Sequence, residues 1–146
     1  MKTKFILFVL IIGLTSCDIS SDCGDCFTPP REFNFVFVDE DSSQDLFENG
    51  TFNVNDLAVT NLKNETTNFK IIKYQNQTVL SLNSIGWVLE PSVYTIKLSP
   101  DVSVIINVDM DKISGDCCTY FEVKEFKILN YEYSESTSTG IIKIEI

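Results

Sequence analysis

The sequence predicts an all-β fold, a single antiparallel β-sandwich. Three observations carry that expectation. Short runs rich in Val, Ile, Phe and Tyr recur between turn residues, several of them alternate apolar and polar side chains with period two, and no stretch shows the repeat of a long amphipathic helix.

The first strand begins after Pro29-Pro30. Phe33, Phe35 and Phe37 point one way and Asn34, Val36 and Val38 the other, so both faces are largely apolar and suit a well-covered strand. Asp39-Glu40-Asp41-Ser42-Ser43 ends it. Further strands are expected at residues 57–61, 69–74, 78–82, 93–98, 102–109, 126–133 and 141–146. Tyr94, Ile96 and Leu98 share a face, as do Val102, Val104, Ile106 and Val108, and Ser99-Pro100-Asp101 between them reads as the turn of a hairpin. Phe121 and Val123 are out of phase with Phe126 and Ile128, which a bulge or turn at Lys124-Glu125 would repair. Ile142, Ile144 and Ile146 alternate with Lys143 and Glu145, so the chain ends on a half-buried strand. That many short strands suggest an immunoglobulin-like or transthyretin-like sandwich, with a barrel as the rival.

Ahead of the strands lies an export signal. Lys2 and Lys4 precede the apolar run Phe5 to Leu14, which as a helix would cover only about half of a ~30 Å hydrocarbon core. A cleaved signal peptide is therefore a better reading than a membrane span. The last four residues of this region, Leu14-Thr15-Ser16-Cys17, resemble the lipobox of bacterial lipoproteins. The resemblance implies cleavage before Cys17, lipidation of Cys17 and attachment to a membrane of the bacterial cell envelope, on the periplasmic face or at the cell surface. The expected organisation is a signal peptide at 1–16, a tether at 17–31 and a β-sandwich at 32–146. The layout also resembles the small β-sandwich lipoproteins of Bacteroidota, through the lipobox, the short tether, the Phe-rich first strand REFNFVFVD and the acidic, Asn-rich loops.

Composition narrows the chemistry. The chain has no histidine, which excludes histidine-based catalysis, and one arginine, Arg31, so clamps on phosphate or carboxylate are not expected. Without Lys2 and Lys4 the formal charge moves from −10 to −12, which argues against nucleic acid and anionic lipid as partners.

With Cys17 lipidated, Cys23, Cys26, Cys117 and Cys118 remain, and an even number in an exported chain reads as two disulfides. Adjacent cysteines are poor partners for each other. The expected bonds therefore join the tether pair to the Cys117-Cys118 pair, in either order, with Ser114-Gly115-Asp116 supplying a turn. A redox role for Cys23-Gly24-Asp25-Cys26 is disfavoured by its acidic neighbours, which raise a thiol pKa, and a zinc site by the missing spacer in the second pair. Asp39, Asp41 and Asp45 faintly resemble a calcium loop, but they lack its glycine and terminal glutamate. Neither a metal nor another cofactor is expected.

Trp87, the only tryptophan, is expected to pack in the core or at its rim, or else to form an exposed ligand platform together with Tyr131 and Tyr133 on one strand face. The expectation for function is a lipid-anchored cell-envelope domain without enzymatic activity, a binding or structural accessory. Its partner would be an envelope protein or a glycan. A carbohydrate-binding lipoprotein is the alternative, and a hydrolase using carboxylates the third.

Overall fold

A computed structural model describes residues 26–115 and 118–146. In chain order the strands are β1 (Cys26–Phe27), β2 (Phe33–Val38), β3 (Ala58–Asn61), β4 (Lys70–Tyr74), β5 (Gln77–Leu82), β6 (Ser92–Lys97), β7 (Ser103–Ser114), β8 (Cys118–Ile128), β9 (Tyr133–Glu135) and β10 (Ile141–Glu145). They form two five-stranded sheets, β1-β8-β7-β6-β3 and β4-β5-β2-β10-β9, packed face to face as a sandwich. Two single-turn 3-10 helices, Val54–Asp56 and Ile85–Trp87, sit in the connections.

Period-two alternation builds the interior. Phe33, Phe35 and Phe37 of β2 share one core cluster with Val104, Ile106, Val108 and Met110 of β7, and none of these is more than 2% exposed. Side chains of this size contribute about 1.5–3 kcal/mol each when fully buried, so this seam is a principal source of stability. The other face of β2 is apolar because it too is covered. Val36 and Val38 form a second small cluster with Val79 of β5, and Ile141 packs at its edge.

The expected hairpin is present as β6 and β7. Its turn is closed by the Leu98 N–H donating to the Val102 carbonyl at 2.9 Å and the Val102 N–H donating to Ser99 Oγ at 3.1 Å. The expected irregularity near Lys124 is a β-bulge. Asp109 pairs with Glu125 and Met110 with Val123, which leaves Lys124 as the extra residue. One inserted residue reverses the alternation, so Phe121 and Val123 before it and Phe126 and Ile128 after it all face the core.

Three details differ from the sequence expectation. The sheets are mixed rather than purely antiparallel, because β2 runs parallel to β10 and β1 parallel to β8. These partners are far apart in sequence, so no tight turn forces them antiparallel.

The strand expected at 126–133 is broken. β8 stops at Ile128, and Asn130 takes over the next ladder positions with its side chain. Its Oδ1 accepts from the Ile105 N–H at 2.9 Å and its Nδ2 donates to the Ser103 carbonyl at 2.8 Å. With β7 satisfied in this way, the backbone is free to cross to the second sheet, where Tyr133 opens β9 opposite Ile144. Tyr131 therefore lies in a crossover and does not share a strand face with Tyr133.

Residues 26–31 were expected in the tether but belong to the folded unit. They supply β1 and the buried Pro30. Arg31 fastens this entrance. Its guanidinium pairs with Glu135 at 2.9 Å and lies 4.9 Å from the centre of the Phe33 ring.

Candidate functional site

The site grows from a covalent clamp. Cys26 and Cys118 form a disulfide with their Cα atoms 4.6 Å apart, across 92 residues of sequence. In the chain-entropy account, closing a loop of that length stabilises by about 4–5 kcal/mol. Here the bond also adds a strand. Cys26 and Phe27 lie parallel to Cys118 and Thr119, and the Thr28 N–H donates to the Thr119 carbonyl at 3.0 Å. One of the two bonds expected between the cysteine groups is thus present. Cys17, Cys23 and Cys117 lie outside the described residues.

The clamp delivers an aromatic residue to the tip of the β7–β8 hairpin. The ring of Phe27 stacks on Trp87 at 6.0 Å with 21° between planes, and meets Phe121 edge-on at 6.2 Å. Trp87 in turn sits edge-on to Phe121 at 5.2 Å. Such contacts add about 0.5–1.5 kcal/mol each beyond burial. The cluster stays open to solvent, with Phe27 55% and Trp87 51% exposed.

A close backbone approach positions the tryptophan. Ile85 and Gly86 are buried, and a Cβ on Gly86 would lie 2.9 Å from both the Arg31 carbonyl oxygen and Pro30 Cβ. Glycine lets the Ile85–Trp87 turn press against Pro30 and Arg31, which turns Trp87 outward beside Phe27. Pro29, Pro30, Glu32, Asn83, Ser84 and Trp87 line an open cleft at this point. The cleft offers one indole, one carboxylate, one amide and one hydroxyl.

The three residues expected to form a ligand platform do not come together. Trp87 lies beyond the Leu82 end of β5, whereas Tyr131 and Tyr133 lie toward the far end of the sandwich, where Tyr133 pairs with Ile144. Tyr131 packs against the core. Tyr133 packs edge-on against Phe126 at 5.7 Å, and its hydroxyl donates to the Phe126 carbonyl at 3.2 Å. Trp87's aromatic partners, Phe27 and Phe121, were not anticipated. The signal that could have found Phe27 is its position next to Cys26, because any bond from Cys26 to Cys118 carries Phe27 toward Phe121.

The acidic turn residues are occupied in building turns. Asp39 Oδ1 accepts from the Ser42 N–H at 2.8 Å and the Ser42 hydroxyl at 2.7 Å, contacts that hold the Asp39 carboxyl below its ordinary pKa. Asp45 Oδ1 accepts from the Phe47 and Glu48 N–H groups, and its Oδ2 accepts from the Thr78 N–H. Glu48 accepts from Lys73 and from the Thr78 hydroxyl, and the Lys73 contact first of all pulls its carboxyl below the ordinary pKa. Together these contacts tie the loop after β2 to the β4–β5 hairpin.

The chain matches no protein-family model, no curated protein and no solved structure.

Proposed function

We propose that this chain is a lipid-anchored module of the bacterial cell envelope that works by binding or as a structural accessory, without catalysis. The observation that carries the reading is the Cys26–Cys118 disulfide, a bond that persists in oxidising compartments and so fits an exported chain whose Leu14-Thr15-Ser16-Cys17 resembles a lipobox. Cys17 is then the membrane anchor, and the clamp begins nine residues later. The test is the intact mass of the protein purified from bacterial membranes. Acyl chains on Cys17, and release to the soluble fraction on Cys17→Ser, are the expected results; an unmodified Cys17 in an already soluble protein would overturn the anchor.

A second reading, carbohydrate binding, is favoured by the cleft beside Trp87. An exposed indole offers a face for a sugar ring, and Glu32, Asn83 and Ser84 supply hydrogen-bonding groups around it. It predicts that soluble polysaccharides shift the emission of Trp87, and emission that stays constant across a panel of glycans would count against it.

A further inference from the structure

We propose that the hairpin-tip end of the sandwich, with Phe27 and Trp87 at its centre, docks into the headgroup boundary of a zwitterionic bilayer. The proposal rests on lipidation at Cys17. It commits to a lipid surface as occupant because of how short the chain is between Cys17 and Cys26. Cys26 follows Cys17 by nine positions, so nine residue steps join them. Even fully extended, at about 3.3–3.6 Å per residue, they reach only some 30 Å. An acylated Cys17 therefore holds Cys26, and the end of the domain to which Cys26 is bonded, close to the membrane.

That end is shaped and composed for contact. β6 starts at Ser92 opposite Val108, while β7 runs on to Ser114, so the β7–β8 hairpin projects six residues past its neighbour. At about 3.4 Å per residue the projection is some 20 Å. Exposed apolar side chains mark this end: Phe27 and Trp87 with Phe121 on one face of the hairpin, Tyr120 at 43% exposure on the other face, and Leu89 at 45% exposure two residues after Trp87. Aromatic side chains of this kind, with an apolar body and for Trp and Tyr a polar tip, are the ones that favour the bilayer interface. The formal charge of −12 on the chain from Cys17 onward directs the contact to zwitterionic lipid, since anionic headgroups would repel the domain.

Docking would give the anchored domain one orientation. The loop after β2, the Ser99–Val102 turn and the Asn130 crossover lie at the opposite end of the strands and would face away from the membrane.

Trp87, the only tryptophan of the chain, reports on this contact directly. The acylated protein is reconstituted into phosphatidylcholine–phosphatidylethanolamine vesicles containing phospholipid brominated near the headgroup or near the chain terminus. The expected result is a blue shift and loss of Trp87 emission, greater with bromine near the headgroup, and a smaller loss in Phe27→Ser and Leu89→Ser. Acylated protein that floats with the vesicles while its emission ignores the bromine would overturn docking and leave the anchor standing. A mass without acyl chains would overturn the anchor, and the proposal with it. Emission that responds to soluble polysaccharide but not to brominated lipid would also overturn it, and would assign the patch to glycan.

Discussion

The Phe27 ring lies stacked on the Trp87 indole, 6.0 Å between centres, and the residue that brings it there is its covalently bound neighbour Cys26. The two aromatic residues come from opposite sheets' approaches: one follows the tether, the other follows β5. The contact lies one residue from the clamp, so the tryptophan can report on the clamp.

Replacing both Cys26 and Cys118 with alanine is expected to lower stability by about 2–5 kcal/mol, the usual effect of removing a long-loop disulfide. Because β1 is only two residues long, its release should also move Trp87 emission in the folded protein. Denaturation curves followed by fluorescence read both effects. An unchanged midpoint would show that the ladder alone holds β1.

With Cys26 bound to Cys118, the bond expected for the other two cysteines is Cys23–Cys117. Peptide mapping without reduction should recover one disulfide-linked species carrying all four residues. Free thiols at Cys23 and Cys117 would contradict it.

Gly86→Ala is expected to destabilise by about 1–3 kcal/mol, the range for overpacking. Its new methyl meets backbone at Arg31 and the Pro30 ring at 2.9 Å, neither of which is the free end of a flexible side chain. The same variant should alter Trp87 emission, since the next residue must shift. Wild-type stability in a urea titration would show that Pro30 gives way freely.

Glu48 supplies a pH dependence. Hydrogen bonds from Lys73 and then Thr78 hold its folded-state pKa below 4.5. A depressed carboxyl stabilises fully above its ordinary pKa and ceases to do so as pH falls through the depressed value. Wild type is thus expected to lose this contribution below about pH 4.5, and Glu48→Gln to show a flatter acid limb. The pair is solvent-exposed, so the difference should be small and should shrink with salt. Urea midpoints taken from neutral pH into the acid range check it, and parallel curves for the two proteins would show the contact to be idle.

Local patterns in the sequence were informative where they are read by a single strand and its turn. The alternation from Val102 to Val108 names its own buried face, and the phase change between Val123 and Phe126 marks the bulge at Lys124. What could not be read depends on partners far away in the chain. Nothing local to Leu129 or Tyr131 announces a crossover; it follows from Asn130 finding Ile105 and Ser103 on the neighbouring strand. The same holds for the site. Trp87 stands out as the lone tryptophan, but its companions are Phe27 and Phe121, chosen by a disulfide and a hairpin, whereas Tyr131 and Tyr133 were grouped by proximity in sequence.

The parallel pairing of β2 with β10 has a bearing on the order in which the protein acquires its shape. β2 is the middle strand of its sheet, and one of its two neighbours is Ile141–Glu145, far along the chain from it. Half of the ladder along Phe33–Val38 has no partner until Ile141–Glu145 has been made. Pairing over so long a separation is slow, since the intervening chain must be gathered first. A closing strand so distant from its partner delays completion of the sheet until the chain between Val38 and Ile141 has been gathered.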